Sequence, residues 1–220
     1  MKRCIILAAF AMMATAISAF AQEKVFNTAD FTYSPMTVKV NAGFLSMDVN
    51  LNAVSANWTQ ARLMTDQLPV YLQYGAGLQY AFGSLSVDAS KTSMSFMTLK
   101  APVSAMYMYT IPNTPVILMP YLGLNLQFHL LGQCKTTVPT GDYGDSEYTG
   151  ATGKYSFFNK DDMEGDTFNR LVLGWQIGAR VMYDKYLFGI GYDGPVTNLY
   201  KGENGKIRTG QVNISLGICF

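Results

Sequence analysis

Charge is scarce in this chain of 220 residues: 14% are Asp, Glu, Lys or Arg, with 16 basic residues against 15 acidic. That near-neutral balance argues against a nucleic-acid partner, which would call for a basic face. Histidine is scarcer still, because His129 stands alone. With no second histidine for a metal site and no Ser/Asp set placed beside it by the sequence, it reads as a satisfied interior residue and not a catalytic one. Beyond the first residues, no apolar run reaches the ~20 residues of a membrane-spanning helix. What is left is a soluble protein or a β-barrel.

The N-terminus has its own pattern. Lys2 and Arg3 precede an apolar stretch from Ile5 to Ile17 and the small-residue site Ala19-Phe20-Ala21. This is the anatomy of a secretory signal peptide over residues 1–21, with cleavage before Gln22. Cys4 lies too early to be a lipid-attachment cysteine. Removing 21 of the 220 residues leaves 199, and takes away two basic residues and no acidic one, for a formal charge of −1. Residues 22–35 are expected to form a short periplasmic segment, and residues 36–220 the main domain.

Within that domain the sequence alternates. From Leu68 to Gly83, Leu68, Val70, Leu72, Tyr74, Ala76, Leu78, Tyr80 and Phe82 face Pro69, Tyr71, Gln73, Gly75, Gly77, Gln79, Ala81 and Gly83. Residues 116–131 and 169–183 repeat the pattern, and so does the chain end, where Val212, Ile214, Leu216, Ile218 and Phe220 alternate with polar or small residues. Period two over such lengths signals strands. Soluble strands usually run ~5–6 residues, whereas ~9–11 tilted residues cross the apolar band of an outer membrane. A soluble lipocalin-like barrel would place Lys and Glu on its wet face. The polar row here is instead Gly, Gln and Asn, which suits a crowded interior.

Eight strands are expected, near 37–49, 54–64, 68–83, 94–109, 116–131, 168–183, 186–193 and 207–220. The second is the weakest, since Gln60 and Arg62 break the row of Val54, Ala56 and Trp58. Parity supports it, because single-chain bacterial barrels have an even strand number, short periplasmic turns and longer extracellular loops. The links 65–67, 110–115 and 184–185 then fall inside, and 50–53, 84–93, 132–167 and 194–206 outside. The expected fold is all-β: an eight-stranded antiparallel transmembrane up-and-down β-barrel.

Three segments, "LKAPVSAMYMY" with "ILMPYLGLNLQF", "LVLGWQIGARVMYDKYLFGIGYDGPVTNL" and the terminal "VNISLGICF", resemble the small outer-membrane barrels of the PorT-like and OmpX-like kind, the "porin family". The resemblance covers roughly residues 36 to 220 and marks architecture far more than activity. It implies that Ile214, Leu216, Ile218 and Phe220 form the signal read by the barrel-assembly machinery. It also implies an outer-membrane location, and some PorT-like members assist protein secretion.

Inside the barrel, Lys39, Lys100, Arg170 and Arg180 point inward with His129, while few carboxylates do. Unpaired charges in a dry core are costly, so the interior is hydrated or closed by loop carboxylates. Gly75, Gly77, Gly174, Gly178, Gly189 and Gly191 make room for Tyr71, Tyr121 and the arginines. "GIG" at Gly189–Gly191 opens no helix and is no nucleotide loop. Asp161, Asp162, Glu164 and Asp166 fit no EF-hand spacing. Cys134 and Cys219 fall at opposite ends, too far apart for a bridge. No metal or cofactor is implied. The expectation is a monomeric, non-enzymatic barrel in outer-membrane lipid with a structural or surface-interaction role. The alternative is a narrow channel, or an accessory component of an outer-membrane secretion machine.

Overall fold

A computed structural model describes residues 25–42, 45–65, 67–87, 90–138, 141–143, 146–148, 151–158, 168–200 and 205–220. The leader and the acidic loop 161–166 lie outside the described residues. Eight long strands make the fold: β1 (Val25–Ala42), β2 (Leu45–Leu63), β3 (Val70–Val87), β4 (Ser90–Tyr107), β5 (Val116–Val138), β6 (Leu171–Tyr183), β7 (Tyr186–Pro195) and β8 (Gly205–Cys219). Each pairs antiparallel with the next, and β1 pairs with β8, so the sheet closes into a ring. Over the stretch where all eight strands overlap, closure gives each strand a neighbour on both edges. Three short pieces lie beside it: Tyr109–Thr110 and Ala151–Ser156, which both pair with β5, and a small hairpin of Gly141–Tyr143 with Ser146–Tyr148.

Seven of the eight expected strands are present, but the expected first strand, 37–49, is divided between the end of β1 and the start of β2, so the first hairpin is displaced. β1 begins at Val25, so residues 25–35, expected to precede the barrel, form more than half of its first strand. Residues 50–53, expected to be a turn, lie inside β2, which pairs with β1 as far as Leu45 opposite Ala42. The expected loop 84–93 is likewise taken up by strand, residues 84–87 in β3 and 90–93 in β4. One physical reason covers the two expected loops, 50–53 and 84–93. The strands outlast the apolar belt, and beyond it their outward residues are polar and read as loop.

β1 makes the point numerically. Its 18 residues, at ~3.3 Å each and tilted ~40°, rise about 45 Å, against ~25 Å for an outer-membrane apolar band. On the lower part of β1 the outward residues Phe31 and Tyr33 are exposed, while Thr28, Asp30, Thr32 and Ser34 are buried inside. Above Pro35 the chemistry inverts: Thr37, Lys39 and Asn41 face out, and Val38 is buried within. On β2, Trp58 faces out below, and Asn52, Asn50 and Asp48 above. Gln60 and Arg62, which broke the row, sit at the lower rim with Asn27 and Tyr74 around Gln60.

The turns at the end where β1 starts and β8 finishes are short. At 184–185 the two-residue turn places Asp184 at φ 54°, a left-handed conformation that Asp tolerates through local hydrogen bonding. At the opposite end the sequence between strands is longer, residues 139–170 between β5 and β6 and residues 196–204 between β7 and β8.

Candidate functional site

The interior of the ring is where the sequence placed the chemistry. It is layered along the barrel axis. At the short-turn end, Ala61, Tyr71, Met106, Met119 and Leu187 are buried together as an apolar floor. At the long-loop end, Val38, Val49, Leu51, Phe96, Val172 and others form an apolar cap. Two connections fold in to complete it. Phe157 stacks on Phe96 at 5.0 Å between ring centroids, Phe168 lies 4.8 Å from Phe157, and Leu199 is buried among them.

Between floor and cap lies a polar layer to which all eight strands contribute. Asp193 on β7 is its hub. Its Oδ2 accepts from Lys100 Nζ (2.7 Å), Gln211 Nε2 (2.9 Å) and Asn125 Nδ2 (3.1 Å). Gln79 Nε2 donates to Gln211 Oε1 at 2.8 Å, which ties β3 across the lumen to β8. A second centre surrounds Asp30 on β1, whose Oδ1 accepts from Asn57 Nδ2 and Thr32 Oγ1. Arg180 on β6 approaches from the far wall, its guanidinium 3.8 Å from Asp30 Oδ2 and stacked over Tyr121 at 5.2 Å. Below, Gln73 bridges Thr59 and Ser104, and Thr59 meets Thr28 at 2.6 Å.

This layer sets two cations, Lys100 and Arg180, against two carboxylates, Asp30 and Asp193. Such a balance is what a water-poor interior requires, because an unpaired buried ion costs several kcal/mol. Asp30 Oδ2, Asn125 Oδ1 and Arg180 Nη1 are buried without a hydrogen-bond partner. The cavity beside Asp30 and Arg180 measures about 50 Å³. It is roomy enough for a few water molecules but not for a solute.

The expected lumen residues divide. Lys100, Arg180 and His129 do face inward, Lys100 and Arg180 in the polar layer and His129 near the cap, where its Nδ1 pairs with Thr98 Oγ1 at 2.8 Å. Lys39 does not. It is exposed on the outer wall between Asp48 and Arg208, because the odd residues of β1 face outward throughout. Arg170 is also exposed, at the rim below the long loop, over the Phe158 ring at 4.9 Å and donating to the Leu130 carbonyl. Asp30 and Asp193 were missed, although both stand in legible polar rows: Thr28, Asp30, Thr32 and Ser34 on β1, and Gly189, Gly191 and Asp193 on β7. Leu131 faces outward against its expected side. A register shift between Met97 and Thr98 pairs Met97 with Leu131 but Thr98 with His129, leaving Leu130 as an extra residue that flips the rest of β5.

The glycines act as expected around two side chains. A Cβ at Gly178 or Gly191 would strike the Tyr121 hydroxyl, and one at Gly189 would press on Arg180 and Ser215. The terminal row Val212, Ile214, Leu216, Ile218 and Phe220 is exposed on the outer wall. Among the described residues no cluster of His, Cys, Asp or Glu could hold a metal ion, and no helix is long and apolar enough to cross a membrane.

No family model matches this chain, and no curated protein does. Among solved structures it is similar to Ail, the attachment invasion locus protein of Yersinia pestis, crystallised with the heparin analogue sucrose octasulfate. The identity is 10%, the TM-score 0.44, and the match covers 90% of this chain and 100% of that one. Neisserial surface protein A matches at 16% identity and a TM-score of 0.41, over 90% and 100%. OprG from Pseudomonas aeruginosa matches at 11% and 0.40, over 89% and 95%.

Proposed function

We propose that this chain is an outer-membrane β-barrel that does not conduct, and that its role is structural or carried by the wall and loops standing above the bilayer. The observation that carries this is the inversion of faces along the strands. A belt of outward Phe31, Trp58, Leu78, Leu122, Ile177, Phe188 and Leu216 surrounds a polar interior, and beyond the belt the outside turns polar as the inside turns apolar. Only a ring standing partly in hydrocarbon and partly in water calls for both arrangements. Export under the leader 1–21 and recognition of Ile214, Leu216, Ile218 and Phe220 by the assembly machinery belong to the same reading. So does a monomeric state.

The apolar floor and cap, and a charge-balanced middle, argue against the narrow anion-favouring channel. Secretion assistance and PorT-like membership rest on the sequence resemblance alone. The test is electrical. Purified protein inserted into planar bilayers is expected to give no steady current. Discrete conductance steps that vanish in a Lys100→Gln/Arg180→Gln variant would replace the closed barrel with a channel.

A further inference from the structure

The outer wall above the apolar belt carries an arrangement that the closed-barrel reading does not use. Where β3, β4, β5 and the strand Ala151–Ser156 lie side by side, the outward residues form rows across the sheet. The lowest row is apolar: Tyr80, Met97 and Leu131. Next come Phe82, Ser95, Gln133 and Ser156, and above them Ser84, Ser93, Lys135 and Lys154. Lys91 stands one residue pair higher, opposite Thr137.

Two features of these rows point to a ligand. Lys135 and Lys154 are direct cross-strand partners, an arrangement that is destabilising for like charges. Lys91 lies diagonally from Lys135, so three exposed ammonium groups converge. They line a groove of about 660 Å³, and the described residues around it include no carboxylate. The contrast with the neighbouring groove, which shares Asn50 and Asn52 with this one, is informative. There Lys39 also faces a cation, Arg208, but has Asp48 on its opposite flank.

The groove's floor supplies the second feature. Tyr80 and Phe82 stack with ring centroids 5.8 Å apart and are 49% and 42% exposed, and Leu131, beyond Met97 in the same row, is 57% exposed. Lys135 is four residues above Leu131 on the same strand, a vertical step of about 10 Å at barrel tilt. A headgroup region is about 5–8 Å deep, and a lysine stem bends toward the interface to make up the difference. An amphiphile with its chains on Tyr80, Phe82 and Leu131 would bring its phosphate to the three ammonium groups.

We propose that Lys91, Lys135 and Lys154 bind the phosphate of an anionic lipid headgroup in the outer leaflet, with Tyr80 and Phe82 holding its acyl chains. The inference rests on the membrane-barrel reading above, and its test separates the two. Insertion into phosphatidylcholine vesicles, read by flotation and heat-modifiable gel mobility, reports the barrel alone. Failure to insert overturns both readings. Native mass spectrometry of the folded protein in detergent, titrated with short-chain phosphatidic acid or phosphatidylcholine, reports the groove.

The parent is expected to retain phosphatidic acid in preference to phosphatidylcholine. In a Lys91→Gln/Lys135→Gln/Lys154→Gln variant that preference is expected to fall roughly tenfold or more, since each basic residue near an anionic lipid surface changes affinity several-fold. The matching triple arginine variant should keep it, and Lys185→Gln at the opposite rim should leave it unchanged. Preference retained in the glutamine variant, or lost equally in Lys185→Gln, overturns the site. Displacement of the lipid by inorganic phosphate at equal concentration overturns the lipid as ligand, in favour of a free-anion site.

Discussion

Phe220 and Asn27 exchange both of their backbone hydrogen bonds, Asn27 N to Phe220 O at 2.8 Å and Phe220 N to Asn27 O at 2.9 Å. The last residue of the chain thus closes the ring against the first strand, with its own ring 63% exposed on the outer wall. Phe220→Ala keeps both backbone bonds and removes only an exposed aromatic surface. Folded stability in detergent should therefore drop by no more than about 1–2 kcal/mol, the order of a large apolar side chain's transfer. If the terminal row is also the assembly signal, outer-membrane yield in cells should fall far more than that. Heat-modifiable mobility of the refolded protein against yield in cells makes the comparison. Equal loss in both would reduce Phe220 to a packing residue.

Asp193 holds Lys100 and two amides at once. Asp193→Asn leaves the buried Lys100 ammonium without its counter-charge and should destabilise the barrel by about 3–5 kcal/mol. Lys100→Met/Asp193→Leu removes both charges and should lose distinctly less. Urea unfolding in detergent micelles measures both. Equal losses would mean that the network holds the barrel through its amides rather than through this ion pair.

Tyr121 reaches the lumen axis only because Gly178 and Gly191 have no side chain. Gly191→Ala should cost about 1–3 kcal/mol by overpacking against the hydroxyl. Adding Tyr121→Phe removes the atom that is struck and should recover most of the loss. A double-mutant cycle with no coupling between the two would place the strain elsewhere.

The described cysteines are both free thiols. Cys134 lies in the upper half of β5 against the apolar cap, and Cys219 ends β8 at the opposite rim. A non-reducing peptide map should find no bridge between them within one chain. Cys134 is half-buried against the apolar cap, which shields its sulfur from a reagent in solution. Its alkylation in the folded protein should be slow and should accelerate on unfolding. Rapid labelling of Cys134 in the folded barrel would place it on the outer wall and remove the β5 bulge.

Local pattern carried much of the architecture. Period-two rows such as Leu72 to Phe82 and Val212 to Phe220 mark strands and separate their two faces without any tertiary information, because alternation is a property of the extended backbone itself. The same rule, extended to Thr28, Asp30 and Thr32, would have revealed β1 and its carboxylate. Alternation gives a residue's side but not its height. Whether an outward position needs Leu or Lys depends on where the ring's stagger lifts it relative to the hydrocarbon, so Lys39 and Asn50 looked like interior or loop residues until the closed sheet raised them above the belt. The partners of Asp193 come from β4, β5 and β8, which only closure of the ring brings together. The bulge after His129 depends on how β5 registers with β4. The sequence alone therefore determined that this chain alternates and closes as a barrel. The tertiary structure decided where its faces invert and which charges meet, because those depend on distances between strands far apart along the chain.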